Sequence, residues 1–205
     1  MLPHAFLDWW FAPWSYANGG APCLPLASDQ LSRRDGYRLW CAEAQVRPGL
    51  PPAFDPVWAL AATSDGAALA ATARLFAGLL AARGHVHEVL AGLPFADHRW
   101  CVTVAATQPL LPCAPFRHGA DEAIELHGLL ELARHLEHGF PGLWQRLRLT
   151  LPVAQANEVE RLRQEPLPLP NMSDAAIARA QRCWQLCRGR AESALPARRL
   201  SAQAA

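Results

Sequence analysis

The chain has 205 residues, of which 51% are hydrophobic and 18% are charged, and this composition excludes an intrinsically disordered protein. The net charge of +1 gives no basic excess, so we expect no nucleic-acid partner. All 19 basic residues are arginines, and the lack of lysine excludes Schiff-base enzymes, pyridoxal phosphate enzymes and P-loop nucleotide binders.

The N-terminal residues 1–27 are predicted to form an ordered aromatic arm. Its large rings crowd into a short stretch, and a disordered tail would not carry so many of them: Trp9, Trp10, Phe11, Trp14 and Tyr16. The arm begins without a basic region and contains an acid early, at Asp8, so no secretory signal is expected.

Helical patterns fill the first half of the chain after the arm. Capping residues, apolar spacing and proline or glycine breakers predict helices over 28–46, 55–62, 65–84, 86–91 and 94–108. The second of these has a clear start, because Asp55 is a good N-cap and Pro56 suits the first helical position. The third has the strongest apolar face of all, and Gly84 is a natural C-terminal cap.

The second half predicts three more helices, over 121–137, from 157, and over 173–190. Prolines at 166, 168 and 170 are typical of a stiff extended spacer before the last helix. Between the first two helices, the leucines at 147, 149 and 151 alternate with the period of a strand. An extended segment and a short hairpin are both open for residues 144–152.

The predicted fold class is therefore mostly α. We expect a single compact multi-helix domain over 28–192, preceded by the arm and followed by a flexible tail over 193–205. No apolar run approaches the roughly 18 residues of a membrane span, so no direct membrane insertion is expected.

The six cysteines lack the short spacings of a disulfide scaffold, which indicates a reducing compartment. Cys183 and Cys187 lie one helical turn apart, but no second close pair accompanies them to complete a zinc site. Both are predicted to be core residues, as free cysteines often are.

Histidines invite a metal interpretation at two places. His127, Glu131, His135 and His138 share one helical face, and an i, i+4 pair there could bind zinc. The row lacks the His-Glu-x-x-His pattern and a clear ligand from outside the helix, and a solvated polar face explains it equally well. His85 and His87 are predicted to lie in a polar loop. No metal site is expected at either place.

Other sequence patterns of catalytic sites are either missing or have a geometry that does not suit catalysis. The sequence has no Gly-x-Ser-x-Gly elbow and no glycine-rich phosphate loop. Asp97, His98 and Arg99 are adjacent on a predicted helix, where their side chains diverge. We therefore expect no catalytic residue, no cofactor and no enzyme activity.

Two segments carry a family resemblance. Residues 11–16, FAPWSY, resemble the Phe-x-Pro-x-(Ser/Ala)-Tyr element near the start of SctK/YscK/OrgA proteins. Residues 144–152, WQRLRLTLP, resemble the Trp-x-Arg-Leu-x-Leu-x-Leu-Pro stretch of the YscK branch. The two segments occupy similar relative positions in the family, although the histidine that commonly follows the family's tyrosine is replaced here by Ala17.

The resemblance implies a cytoplasmic adaptor of the bacterial type III secretion sorting platform, peripheral to the inner membrane at the base of the injectisome. Its partners would be the forkhead-associated-like cytoplasmic domain of SctD and the pod protein SctQ and, through SctQ, SctL and the ATPase SctN. The residues that match the motifs are the candidates for partner binding: Phe11, Pro13, Tyr16, Trp144, Arg146, Leu147 and Arg148. Arg146 and Arg148 are expected to face away from the leucines, toward an acidic partner.

Two other hypotheses about the function stay open from the sequence. One is a different helical binding module, such as a secretion chaperone or a regulator. The other is an enzyme or zinc protein built on His127, His135 and the cysteines.

Overall fold

The structure, a computed structural model, describes residues 2–18, 30–63, 65–113, 116, 124–165 and 173–203. These ranges contain α-helices and short 3₁₀ helices, and no strand occurs in them. The α-helices are α1 (His4–Phe11), α2 (Gln30–Glu43), α3 (Gly66–Gly84), α4 (His87–Ala91), α5 (Phe95–Thr107), α6 (Ile124–Gly139), α7 (Leu143–Leu147), α8 (Val153–Arg163) and α9 (Asp174–Gln203). The 3₁₀ helices are Pro13–Ser15, Pro56–Ala61 and Arg148–Thr150. The predicted mostly α class is confirmed.

The chain divides into two compact units, and each draws on two separate stretches of sequence. Unit 1 comprises Met1–Gly66 and Leu136–Ala156. Unit 2 comprises Ala67–His135 and Asn157–Ala205.

Unit 1 has an aromatic core built on α1. Phe6 and Trp10 are one helical turn apart on the buried face of α1, and the ring centroids of both lie 5.6 Å from that of Phe140. Phe54 stacks on Phe140 with a centroid distance of 4.5 Å. Such ring pairs add to the stabilisation that burial provides, so the arm is held in the unit by its aromatic side chains.

A second cluster of unit 1 forms along α2, where Trp40, Cys41, Ala44 and Val46 are buried together. Asn18 of the aromatic arm lies close to this cluster, because its backbone N–H donates at 2.8 Å to the carbonyl of Leu149, which packs against the cluster. The Asn18 side chain also donates to the carbonyl of Thr150, at 2.5 Å. These bonds join the arm to the segment that follows α7.

The predicted start of the second helix is confirmed, although the element is a 3₁₀ helix. The carboxylate of Asp55 accepts a hydrogen bond from the backbone N–H of Val57 at 2.9 Å, and Pro56 occupies the first helical position. The cap satisfies one of the backbone donors that a helix start leaves without a partner.

Unit 2 is organised around α3, whose predicted apolar face is buried: Leu69, Ala73, Phe76, Leu79 and Leu80. Phe76 meets Trp184 of α9 edge to face, with ring centroids 5.4 Å apart. In the described part of the chain, α3 alone is long and apolar enough to cross a membrane, so the expectation that no apolar stretch approaches that length is wrong. The core helix of a soluble protein has the same length and composition, and 56% of the most apolar 18-residue stretch of α3 is buried.

Glycines let helices of unit 2 approach closely. A Cβ atom at Gly128 of α6 would collide with the backbone carbonyl of Ala73 in α3. At Gly78 of α3, a Cβ atom would lie 2.7 Å from the Cys101 sulphur of α5. Gly128 therefore accepts no side chain unless the helices move apart, because the clash is with backbone, whereas a side chain at Gly78 would first displace the side chains of Cys101 and Leu93.

The structure corrects the interpretation of residues 144–152. The segment is helical, formed by α7 and the 3₁₀ helix that follows it, so both the extended and the hairpin alternatives are wrong. Trp144, Leu147 and Leu151 are buried, and their spacing of three and four residues is also a helical one. A short leucine run therefore fits both periods, and packing in unit 1 decides between them.

Two helix ends also differ from prediction. α8 begins at Val153 rather than at 157, and α9 continues to Gln203, beyond the expected end near Arg190. The predicted start of α9 at 173 is confirmed, because the Ser173 hydroxyl caps the helix by accepting from the backbone N–H of Ala176 at 3.3 Å. The predicted helix starts at 28 and 121 and the prolines at 166, 168 and 170 lie outside the described residues.

Candidate functional site

The two motif segments meet in unit 1 around a buried arginine. The guanidinium of Arg146, which is 0% exposed, lies 4.2 Å above the ring of Trp10. It donates from one nitrogen to the hydroxyl of Tyr37 at 3.1 Å and to the backbone carbonyl of Arg47 at 2.6 Å. Stacking on an aromatic face and bonding to neutral oxygens are contacts that an arginine makes better than a lysine.

Tyr16, from the first motif, lies close enough to Arg146 for the charge of the arginine to influence the pKa of the Tyr16 hydroxyl. Burial, the largest influence, raises the pKa of Tyr16 above its ordinary value, and the Arg146 guanidinium opposes that rise. Burial likewise raises the pKa of Tyr37 to about 12. The Tyr16 ring also stacks on Trp9, with centroids 4.7 Å apart and planes inclined by 9°. The motif tyrosine is thus a neutral, packed side chain.

Most of the candidate partner-binding residues are core residues of unit 1: Pro13, Tyr16, Trp144, Arg146 and Leu147. The expectation that Arg146 faces outward is wrong, because α7 is a helix and directs the Arg146 side chain into the core of unit 1. Arg148 is half-buried and donates to the carbonyl of Ala44 at 3.1 Å. Phe11 alone among the seven is largely exposed, at 44%. Whether any of them binds a partner stays a prediction.

The exposed side of this assembly carries three rings in contact, which we call the aromatic patch: Phe11, Trp14 and Tyr37. The Tyr37 ring centroid lies 6.1 Å from that of Phe11 and 6.0 Å from that of Trp14. Trp14 is 39% exposed, and its other edge meets buried Trp40. An exposed tryptophan and phenylalanine held on a rigid base are typical of protein-binding surfaces.

The polar row of α6 is not the solvated face that its polarity suggested. Glu131 and His135 are buried, and His138 alone of the four is exposed. Glu131 accepts a hydrogen bond from the backbone N–H of Cys113 at 2.7 Å, and the Cys113 sulphur lies 3.7 Å from Nε2 of His135. The row therefore faces an irregular segment that follows α5.

Burial sets the protonation of this cluster. It lowers the pKa of His135 to about 4 and, together with the Arg134 charge, that of His127 to about 4 as well. It raises the pKa of Cys113, and the Glu131 carboxylate adds to the rise. At neutral pH the imidazoles are neutral and the thiol keeps its proton, which is the opposite of an activated cysteine nucleophile.

The other candidate residues of the sequence differ in their burial and do not converge on one another. His85 and His87 are both exposed. Cys183 and Cys187 are fully buried, as predicted for core cysteines. Asp97 is buried and receives a hydrogen bond from Arg190 at 3.3 Å, whereas Arg99 is exposed, so the adjacent trio diverges as expected.

Sequence reasoning missed Cys113 as a neighbour of the α6 row and Trp10 and Tyr37 as neighbours of Arg146. Cys113 precedes Glu131 by 18 positions and Tyr37 precedes Arg146 by 109, so no local spacing connects them. The aromatic density near Trp10 was a usable signal, because a buried arginine needs a ring or an acceptor nearby.

Comparison with known proteins adds no identification, since no protein family, curated protein or solved structure matches this chain.

Proposed function

We propose that this chain is a non-catalytic, cytoplasmic adaptor of the bacterial type III secretion sorting platform. It connects the cytoplasmic domain of SctD to the SctQ pods and, through them, to SctL and the ATPase SctN. The proposal rests on the resemblance of residues 11–16 and 144–152 to two elements of the SctK/YscK/OrgA family.

The observation that carries the proposal is the meeting of these two segments in unit 1. They are more than a hundred residues apart in sequence, yet Trp10, directly before the first segment, stacks against Arg146 of the second. Asn18, two residues after the first segment, donates to the carbonyls of Leu149 and Thr150 in the second. Two motifs that form one packed assembly are better explained as a shared structural element than as two chance similarities. The assembly holds the aromatic patch in place, and the patch is our candidate for the partner-binding surface.

Binding through the aromatic patch fits its physical properties. Phe11 and Trp14 expose large rings whose orientation is restrained by Tyr37 and Trp40, so little side-chain entropy is lost when a partner covers them. The net charge of +1 also favours a partner selected by shape and apolar contact over one selected by long-range attraction.

The test is direct binding to purified SctD cytoplasmic domain and to SctQ encoded by the same genome, measured by calorimetry with the full chain. Phe11→Ala with Trp14→Ala should weaken the affinity for one of them by at least about 30-fold, as expected for two hot-spot residues. Phe95→Ala is the matched control, because Phe95 is 81% exposed but belongs to unit 2. Circular dichroism must show each variant folded.

The outcomes separate the parts of the proposal. Failure of the folded wild-type chain to bind either protein overturns the adaptor function. The next hypothesis to test is then a different helical binding module. Binding that the double variant retains in full moves the interface away from the aromatic patch.

A further inference from the structure

We propose that Cys113, Glu131 and His135 of unit 2 form a binding site for a single zinc ion. The site is independent of the adaptor function proposed above. It uses side chains from two places in the chain, since Glu131 and His135 lie one turn apart on α6 and Cys113 lies in the irregular segment after α5.

The positions of the ligand atoms suit one small cation. One donor atom from each of the three side chains lies within 4.8 Å of the other two. The sulphur of Cys113 and Nε2 of His135 are 3.7 Å apart. In a tetrahedral zinc site, bond lengths near 2.3 Å to sulphur and 2.0–2.1 Å to nitrogen separate the two atoms by about 3.6 Å. Little rearrangement is needed to seat the ion between them.

The donor set selects the metal. A thiolate and an imidazole are soft or borderline ligands, which favour zinc over magnesium or calcium. Three protein ligands leave a fourth position for water or for His127, whose Nε2 lies 3.8 Å from an oxygen of Glu131. The N–H of Cys113 holds the other Glu131 oxygen at 2.7 Å, which orients the carboxylate as an outer-shell hydrogen bond does.

Charge balance also permits the ion. On binding, Cys113 must release its proton to solvent, and the resulting thiolate and the Glu131 carboxylate together neutralise the two charges of zinc. The charge of Arg134, which lies near Cys113, repels a dication, and the two anionic ligands offset that repulsion.

The site can be tested on the full chain, kept reduced by a phosphine and stripped of metal by a chelator. Cobalt(II) serves as a spectroscopic substitute for zinc, because a cysteine ligand produces a sulphur-to-cobalt charge-transfer band. We expect that band to saturate at one cobalt per chain and zinc to displace it. We also expect zinc to raise the melting temperature of the wild-type chain, because it binds only the folded state.

Variants identify the ligands. Cys113→Ser should abolish the charge-transfer band, and Cys113→Ser and His135→Gln should each weaken zinc binding by more than about 100-fold, beyond the usual loss for an outer-shell residue. Cys101→Ser is the matched control, because Cys101 is a buried cysteine of the same unit whose sulphur lies near the Leu75 carbonyl instead. It should keep the band and the affinity.

Three results would overturn the site, and the first needs no variant. A folded wild-type chain that shows neither the band nor a zinc-dependent rise in melting temperature does not hold the metal. Retention of wild-type zinc affinity by folded Cys113→Ser or His135→Gln excludes those ligands. Equal loss in Cys101→Ser assigns the effect to general damage of unit 2.

Discussion

Arg146 is an unusual core residue of unit 1, because it places a full positive charge where water does not reach. Within the described residues its hydrogen bonds go to uncharged oxygens, those of Tyr37 and Arg47, and its plane covers the ring of Trp10. A buried charge is costly unless it is compensated. The ring quadrupole and the two acceptors of one nitrogen offset part of that cost, while Nε and Nη1 are buried without a hydrogen-bond partner among the described residues.

Replacing Arg146 with alanine should lower the free energy of unfolding by about 2–4 kcal/mol, since it removes the cation–π contact, leaves the Arg47 carbonyl without its donor and opens a cavity. Urea denaturation followed by circular dichroism measures the change. Arg38→Ala is the matched control, because the Arg38 side chain is 59% exposed and should change stability by no more than about 0.5 kcal/mol. Equal effects of the two variants would contradict the buried role.

At the scale of elements, α6 shows how one helix can carry different surfaces along its length. Gly128 lies against the backbone of α3, while Glu131 and His135, about one and two turns further on, meet Cys113. The close approach at Gly128 depends on the missing side chain, so helix packing and the position of the polar cluster are linked through the same element.

Two helical glycines of unit 2 are expected to change the free energy of unfolding in opposite directions when each is replaced by alanine. Gly128→Ala should destabilise the chain by about 1–3 kcal/mol, because the added methyl group collides with the Ala73 carbonyl. Gly189→Ala in α9 should stabilise it by about 0.5–1 kcal/mol, because no atom lies within 4 Å of the added Cβ and alanine favours helix. Thermal unfolding of both variants checks this. A stabilising Gly128→Ala would mean that α3 and α6 are not in contact there.

For the molecule as a whole, the two tyrosines of the sequence both belong to unit 1, so their ionisation reports on the folding of that unit. Burial raises the pKa of both, that of Tyr37 to about 12. Between about pH 10 and 12 the unfolded chain has lost phenolic protons that the folded chain keeps. Stability from this source is therefore complete below pH 10 and declines as the pH rises toward 12.

Absorbance titration with circular dichroism in parallel measures this behaviour. The folded chain should show little tyrosinate at pH 11, and the same chain in urea should ionise near pH 10. A titration midpoint near 10 while the chain stays folded would mean that the tyrosines are exposed and that the aromatic assembly around Arg146 does not form.

Helix patterns and breakers predicted several elements closely, because the signals lie within a few residues of one another. α4 and α5 were expected over 86–91 and 94–108 and are found at His87–Ala91 and Phe95–Thr107. The same local signals misled at 144–152, since alternation of three leucines fits a strand and their wider spacing with Trp144 fits a helix. A segment that short has no periodicity long enough to separate the two.

The amino-acid pattern alone established a helical, core-rich chain, the start of the helix at Pro56, and the burial of Cys183 and Cys187, because each depends on local spacing or on overall hydrophobicity. It left undecided which polar residues are inside. Arg146 and Glu131 both read as surface residues, and both are fully buried. Their partners lie far away in sequence, so only tertiary packing, which brings Trp10 to Arg146 and Cys113 to Glu131, could decide their place.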